Sequence, residues 1–319
     1  MRLRFRPSQY IVGANWRHST QIAGGVCQSM DEATKFSVNL VSAAALSHDR
    51  LAIFLNQAYA NYYLPIWLDA EQFERMCSTE DIDLRKSVVA LVDDMPVGIA
   101  LLSLRGDAGW VSGVGVLAPW RRQGIARRLM EHIQATARAA RLHILRLEVL
   151  AQNEAGLALY QQLGFAWERD LLVLTLEPGT FDPLPLPTGV APASSGVALA
   201  SYAAFHDVRA PWQRQLASLQ RRQADFRALA CWDGARLLGY VLYHVQHGNH
   251  VVMDLGVDPE YPHRLRVART LLTAMHSARP DLGGYIINIP ADDPLLSAFT
   301  GFRYRIWQRQ HELIWRVGE

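Results

Sequence analysis

The feature that most constrains this chain is that it repeats itself. "VALVDDMPVGIALL" (89–102) and "ALACWDGARLLGYVLY" (228–243) both read as an apolar run, a polar turn and a second apolar run, which is the pattern of a β-hairpin. Gly98 and Gly239 stand 141 residues apart, as do Leu101 and Leu242, Gly115 and Gly256, and Val116 and Val257. One offset held across two strands and their loops marks a duplicated domain. Each copy in a chain of 319 residues is long enough to bury a core of its own. Between the copies runs "EPGTFDPLPLPTGVAPASSG" (177–196), with Pro178, Pro183, Pro185, Pro187 and Pro192. Proline fixes φ and donates no backbone hydrogen bond, so this stretch is expected to be a semi-rigid linker without helix or central strand. The expected division is therefore 31–176 and 197–319.

Half of the residues are hydrophobic and 19% are charged, which is a globular composition. A net charge of +2 is too small for a nucleic-acid binder, and no apolar run reaches transmembrane length. Neither nucleic acid nor membrane is expected as a partner. Cys27, Cys77 and Cys231 are widely spaced and odd in number, so no metal-ligand cluster and no disulfide framework is read from them. A reducing, cytoplasmic compartment is the expectation. Residues 1–30 carry Arg2, Arg4, Arg6 and Arg17 and no acid before Asp31. Three readings of this segment stay open: a transit peptide, an extension created by a start placed ahead of Met30, or an ordered structural role that no residue pattern supports. The second, with a disordered extension, is the expectation.

The first copy reads in order as helices over about 48–60 and 70–78, then strands near 87–93, 97–105 and 109–117. A long helix follows over about 122–140, with Ile125, Leu129, Ile133 and Ala137 as its apolar stripe. A strand (143–150), a helix (154–164) and a last strand (168–176) complete it. An antiparallel meander that turns into a β-α-β crossover implies an α/β fold with a mixed sheet.

The third strand ends in "GVGVLAPWRRQGIARRLM" (113–130), which puts two arginines and a glycine where a helix begins. That junction already presents unpaired N–H groups and the positive end of the helix dipole. Adding cations there makes physical sense if an anion, above all a phosphate, binds. In "RRQGIA", Arg121, Gly124 and Ala126 fall in an Arg-x-x-Gly-x-Ala spacing. Gly124 removes a side chain where a phosphate must approach, and the amides of Gln123, Gly124, Ile125, Ala126 and Arg127 point toward it, with Arg121 and Arg122 adding charge. A solvated basic helix start is the plainer alternative. A Walker A loop is excluded, because no Gly-Lys-Ser/Thr follows. Gly113-x-Gly115-x-x-Ala118 also fits a loose dinucleotide fingerprint, but it follows a meander rather than the first strand of a parallel unit, and the candidate acid Glu148 is 30 residues beyond Ala118.

The second informative stretch is "RLEVLAQNEAGLALYQQLGF" (146–165). Glu148 lies on a strand, opposite in face to Leu147 and Val149. A carboxylate buried on a sheet can have its pKa raised toward neutrality, which suits a general base. Asn153 follows in the loop. Tyr160 lies on a helix beside Leu157 and Leu163, where a core role is as natural as a chemical one.

Together these stretches resemble the GNAT superfamily of acetyl-CoA-dependent N-acetyltransferases over about 45–176. The second stretch is most similar to the bacterial ribosomal-protein N-terminal alanine acetyltransferases, through its Leu-Glu-Val, Asn and Leu-Tyr-x-x-x-Gly-Phe elements. The resemblance implies two tandem GNAT-like (acyl-CoA N-acyltransferase) domains, with acetyl-CoA as co-substrate and no metal. It implies that Val114, Gly115 and Val116 offer backbone groups of a splayed strand to the pantetheine arm. Arg122 and the segment Gln123–Arg127 would hold the pyrophosphate, Asn153 would bond the cofactor arm, Tyr160 would protonate the leaving thiolate, and Glu148 would accept the amine proton through a water.

The acceptor cleft is expected, by the same resemblance, in "QAYANYYLPIWLDAEQF" (57–73), which offers Tyr59, Tyr62, Tyr63 and Trp67 with Asp69 and Glu71. An aromatic, weakly acidic cleft suits a small cationic amine or a peptide N-terminus, and an aromatic core is the alternative. A non-catalytic acetyl-CoA sensor on the same fold also stays open. The second copy is expected to be silent. Arg266 stands where Gly124 would be, Asn288 near the place of Glu148, and Ser297 where Tyr160 would be. That copy would shape the acceptor cleft, pack against the first or make a homodimer. The basic run "QRQLASLQRRQ" (213–223) reads as a solvated helix face, with a contact surface as the alternative.

Overall fold

The structure, a computed structural model, describes residues 37–60, 62, 67–180, 184–185 and 187–318. The expected extension 1–30 and Tyr63 lie outside the described residues. The chain divides into two compact units. One ends at Cys77 and resumes over Asp81–Leu142; the other holds Ser78–Glu80 and everything from His143 on.

The first unit is a four-stranded antiparallel meander with helices. Its strands are β1 (Asn39–Ser42), β2 (Val88–Val92), β3 (Met95–Arg105) and β4 (Ala108–Val116), hydrogen-bonded in that order. Helices α1 (His48–Tyr59) and α2 (Ala70–Glu80) precede β2, and α3 (Ile125–Ala139) follows β4. Ser47 caps α1, and Asp69 and Gln72 form a reciprocal capping box at α2. Leu51, Phe54, Leu55 and Ala58 of α1 bury against Phe73, Ile99 and Leu101. Ile125, Leu129, Ile133 and Ala137 of α3 are buried to 1% exposure or less, so each of the larger ones contributes roughly 1.5–3 kcal/mol of apolar burial. Gly98 is what lets α3 approach β3. A Cβ there would lie 2.8 Å from Ile125 and 2.9 Å from Leu129.

The second unit contains β5 (Ile144–Leu150), α4 (Glu154–Gln162), β6 (Ala166–Leu176), β7 (Val190–Ala193), α5 (Ser195–Ala200), α6 (Tyr202–Phe205), α7 (Leu216–Arg221), β8 (Arg227–Asp233), β9 (Arg236–Gln246), β10 (Asn249–Val257), α8 (Arg264–Ala278), β11 (Gly283–Pro290), α9 (Leu296–Gly301) and β12 (Arg305–Arg316). Its sheet runs β5-β12-β6-β11-β10-β9-β8-β7. Only β10 and β11 pair in parallel within it, so the sheet is mixed, as the meander-to-crossover pattern implied. Part of the proline-rich stretch forms β7. Pro192 is tolerated there because β7 is the last strand of the order and has an open side.

The duplication extends to irregularities of the backbone. Gly98 pairs with Val116 in β3–β4, and Gly239 with Val257 in β9–β10. The β2–β3 register slips just after Ala90 and the β8–β9 register just after Cys231, again 141 residues apart. A second slip follows the pair Leu101–Gly113 in the first copy and abuts Leu242–Asp254 in the second. Bulges that recur at one offset are inherited geometry rather than local accidents.

Strand order shows why the compact units part at Leu142 rather than in the proline-rich stretch. The crossover β5-α4-β6 leaves a gap one strand wide, and β12, the last strand of the chain, fills it antiparallel to both neighbours. The crossover β11-α9-β12 leaves the same gap, and β6 fills it. Each copy thus completes its sheet with the other's final strand, so residues from His143 to Leu176 pack with the second copy.

Candidate functional site

The site residues read from the sequence fall in two sets. Val114–Val116 and Arg121–Arg127 lie in the first unit, and Glu148, Asn153 and Tyr160 in the second.

In the first unit, β4 leads through a 3-10 turn (Ala118–Trp120) to α3. The helix begins at Ile125, not at 122 as periodicity suggested. Arg122 (φ 64°) and Gly124 (φ 77°) are both left-handed, a conformation that cannot continue a helix. Gly124 caps α3 without a side-chain bond, and the first turn holds no acid. The first N–H groups of α3 therefore have no carbonyl a turn earlier to bond. Arg121, Arg122, Gln123 and Gly124 are exposed. A Cβ at Gly124 would meet nothing within 4 Å, so glycine is required here by its backbone conformation and not by crowding within the protein.

The arginines are not equivalent. Arg121 is a strut. Its Nε donates to the Val116 carbonyl at 2.9 Å and its Nη2 to the Ala58 carbonyl at 3.1 Å. Arg127 lies 4.0 Å from Glu131 one turn on. Arg122, on a strained backbone, presents its charge at the tip of the loop. Val114 is engaged as well. The Tyr59 hydroxyl donates to its carbonyl at 3.0 Å and accepts from its N–H at 3.1 Å. Burial raises the Tyr59 pKa, so it stays a neutral phenol. Of the two glycines of the loose dinucleotide pattern, Gly115 makes room for α1: a Cβ there would lie 2.9 Å from Ala58 and 3.3 Å from Tyr59.

In the second unit, Asn153 caps α4, its Oδ1 accepting from the Gly156 N–H at 3.0 Å. Tyr160 is buried at 9% exposure, with its ring edge-on to Phe165 at 6.1 Å. Phe165 in turn packs on Trp315 of β12. Glu148 points to one face of β5 together with Arg146, with Oε1 enclosed. Directly opposite Glu148 on β12 is Glu312. Glu312 is 1% exposed and ion-paired to Arg169 and Arg209, each at 2.6 Å. Arg209 also holds Glu168 at 2.9 Å, and Glu168 receives Arg146. Burial works against the charge of Glu168, and the hydrogen bond from Arg146 with the neighbouring arginines holds its carboxyl below the usual range.

Tyr59, expected in the acceptor cleft, bonds the backbone of Val114, while Arg169, Arg209 and Glu312 carry no motif. Alternation along "RQHELIWR" would put Glu312 on one face of a strand, but nothing in the sequence says that this strand lies beside β5.

The second copy shows a different economy at the same positions. Its helix α8 starts at Arg264, so Arg266 sits in a regular first turn where the first copy has a left-handed glycine loop. Arg264 Nη2 reaches the Val257 carbonyl at 3.5 Å, as Arg121 reaches Val116. The parallel pairing of β10 with β11 ends at Val252 and Ile286. Just beyond, side chains of one internal segment bond both strands. Arg214 Nε donates to the Met253 carbonyl at 3.0 Å, and Asn288 Nδ2 donates to Gln213 at 3.4 Å. Arg214 is 5% exposed and faces Asp254, which also takes the Tyr240 hydroxyl at 2.8 Å and His206 at 3.1 Å. The reading of 213–223 as one solvated helix face is thus corrected: Arg214 is buried by its bond to β10 and its pairing with Asp254, and only Leu216–Arg221 is α-helical.

Comparison with solved structures gives the fold. A GCN5-related N-acetyltransferase from Sphaerobacter thermophilus matches with TM-score 0.65 at 16% identity, over 89% of this chain and 96% of its own. A tandem GNAT protein from the clavulanic acid biosynthesis pathway matches with TM-score 0.65 at 14% identity, over 89% and 99%. A putative acetyltransferase from Pyrococcus horikoshii matches with TM-score 0.61 at 16% identity, over 91% and 92%. At these identities the likeness establishes the fold, that of the GNAT acyltransferases in its tandem form. In the sequence itself, residues 52–165, about a third of the chain, match the Acetyltransferase (GNAT) family. No curated protein sequence matches the chain.

Proposed function

We propose that this protein transfers an acetyl group from acetyl-CoA to a primary amine by direct attack in a ternary complex. The observation that carries the reading is the start of α3: without a side-chain cap, free of acids in its first turn, flanked by arginines and preceded by two left-handed residues. Such a terminus fits a diphosphate, which supplies the missing acceptors and the missing negative charge. On this reading Arg122 and the amides of Gln123, Gly124, Ile125, Ala126 and Arg127 hold the pyrophosphate, while Arg121 holds the loop to β4. Val114, Gly115 and Val116 receive the pantetheine arm, with Asn153 as a further polar contact.

The chemistry asks for two protons to be managed. The amine attacks only when neutral, and Glu148 accepts its proton, through a water if the amine stands off. The thiolate leaves more readily when an acid protonates it, and the Tyr160 phenol serves. The first acceptor to test is a peptide N-terminus, as in the ribosomal-protein alanine acetyltransferases that the 146–165 stretch resembles. Small cationic amines come second, suited to the side chains of Tyr62, Trp67, Asp69 and Glu71. A reducing, cytoplasmic setting belongs to the same reading, with Cys77 and Cys231 as free thiols.

The second copy has no chemistry in this reading. Arg214 and Gln213 take up polar groups of β10 and β11 just where the two strands cease to pair, and a helical turn stands in place of the phosphate loop. The test is thiol release from acetyl-CoA across a panel of peptides and amines. Saturable acetyl-CoA binding with no thiol release for any acceptor would favour the sensor reading instead.

A further inference from the structure

Arg169, Glu312 and Glu148 form one row across three adjacent strands. Arg169 of β6 is registered with Glu312 of β12, and Glu312 with Glu148 of β5. Neighbouring strands lie about 4.8 Å apart, so the two carboxylates stand side by side on one face of the sheet. Two like charges directly opposite one another repel unless one is compensated. Here the compensation is built in. Glu312 accepts Arg169 Nε at 2.6 Å, Arg209 Nη2 at 2.6 Å and Arg209 Nη1 at 3.3 Å. Arg169 is oriented in turn by its Nη1 bond to the Arg209 carbonyl at 2.6 Å. Of Arg169, Arg209 and Glu312, the last two belong to the second copy: Arg209 follows α6, and Glu312 is on the strand that closes the gap between β5 and β6.

We infer that Glu312, clamped between Arg169 and Arg209, is a positioning residue that sets the protonation of Glu148, so that the second copy tunes the proposed base of the first. The catalytic meaning rests on the reading of Glu148 as that base. The charged groups facing Glu148 within this unit are Arg146 on its own strand, Glu312 on β12, Glu168 and Arg169 on β6, and Arg209. Together these five carry one net positive charge, so a change at any one of them alters the charge balance beside Glu148. The influence of Glu312 on β5 is visible in Arg146: burial works against its charge, and Glu168 and Glu312 raise its pKa.

This arrangement predicts opposite shifts from two substitutions, which a purely structural role would not give. Glu312→Gln removes the adjacent negative charge and leaves two arginines uncompensated, so the Glu148 pKa falls. Arg209→Gln frees negative charge on Glu312 beside Glu148, so the Glu148 pKa rises. Each shift is expected to be about one pH unit or more. The experiment is a carboxyl ¹³C titration of full-length protein labelled with [δ-¹³C]glutamate, the Glu148 signal being the one lost in Glu148→Gln. Arg209→Lys, which keeps the charge, is expected to stay near wild type. Arg209 is exposed, so its substitution carries the test if Glu312→Gln does not fold. An unchanged Glu148 midpoint in Arg209→Gln, or shifts of one sign in both variants, overturns the inference. Acetyl transfer by Glu148→Gln tests the base reading separately, so the two ideas can fail independently.

Discussion

The Tyr59 hydroxyl sits on both backbone polar groups of Val114, donating to the carbonyl at 3.0 Å and accepting from the N–H at 3.1 Å. These are the strand groups that the proposed cofactor arm would use, so a side chain of α1 holds them until the arm arrives. Displacing it costs the cofactor two hydrogen bonds, each worth about 0.5–1.5 kcal/mol net. Tyr59→Phe is therefore expected to bind acetyl-CoA about 5–150-fold more tightly while losing roughly 1–3 kcal/mol of stability. Calorimetric titration and urea unfolding of the same preparation check both halves, and weaker binding would show that Tyr59 assists the cofactor instead.

Gly124 tests the phosphate loop through its backbone. At φ 77° a β-branched residue is strained, although its Cβ would meet nothing within 4 Å. Gly124→Val is expected to rearrange the loop and weaken acetyl-CoA binding at least about tenfold, the strain being roughly 1–2 kcal/mol or more. The unfolding midpoint of the whole chain is expected to move little, since the loop is exposed. Unchanged affinity would remove the phosphate assignment.

Tyr160 separates packing from chemistry. The ring fills the space against Phe165 in Tyr160→Phe as well, so stability and cofactor affinity are expected to be close to wild type. Turnover is expected to fall by about 10²–10⁴-fold if the phenol delivers the leaving-group proton. Rapid-quench turnover with an accepted amine decides, and near-wild-type kcat would return Tyr160 to the core.

The second unit buries two histidines that must stay neutral. His276 donates to or accepts from the Tyr304 hydroxyl at 2.9 Å and stands edge-on to His250, with ring centroids 4.9 Å apart. Burial, with His250 adding to it, pushes His276 down to about 3, and burial also lowers His250. A histidine with a lowered folded-state pKa favours folding above its unfolded value near 6.5, and that contribution is lost as pH falls toward 3. His206 behaves oppositely. Burial pushes it down, but Asp254 outweighs burial and raises it, so its contribution is full below pH 6.5 and fades as pH rises through its folded value. Stability is thus expected to fall from pH 6.5 to 4, and His276→Phe is expected to flatten that fall. Urea midpoints measured across this range give the answer.

The exchanged strands make the two copies interdependent. A chain truncated before β12 leaves β5 and β6 with open edges and unpaired backbone groups, and residues 197–319 alone leave β11 without β6. Both fragments are expected to aggregate or stay unfolded, and to regain a sigmoidal unfolding transition only when the missing strand is supplied. Cooperative unfolding of either fragment by itself would show that the exchange is dispensable.

What the sequence determined was local. Apolar periodicity marks α3 through Ile125, Leu129, Ile133 and Ala137, and these are buried. The offset of 141 residues announced the duplication, and the bulges recur on it because a backbone irregularity lives within a few neighbouring residues. The loop proposed to hold phosphate could be singled out for the same reason, its glycine and arginines being contiguous. The start of α3 was misplaced by three residues because φ at Arg122, a residue with a Cβ, has no sequence signature. The tertiary structure alone decided which strand completes which sheet. Strand pairing joins backbone groups that are nearly identical along every strand, so the sequence of β12 does not say that it lies between β5 and β6. The setting of Glu148 followed from that choice. Its neighbour Glu312 is 164 residues away along the chain, and no local pattern encodes a contact made across a sheet after the last strand has found its place.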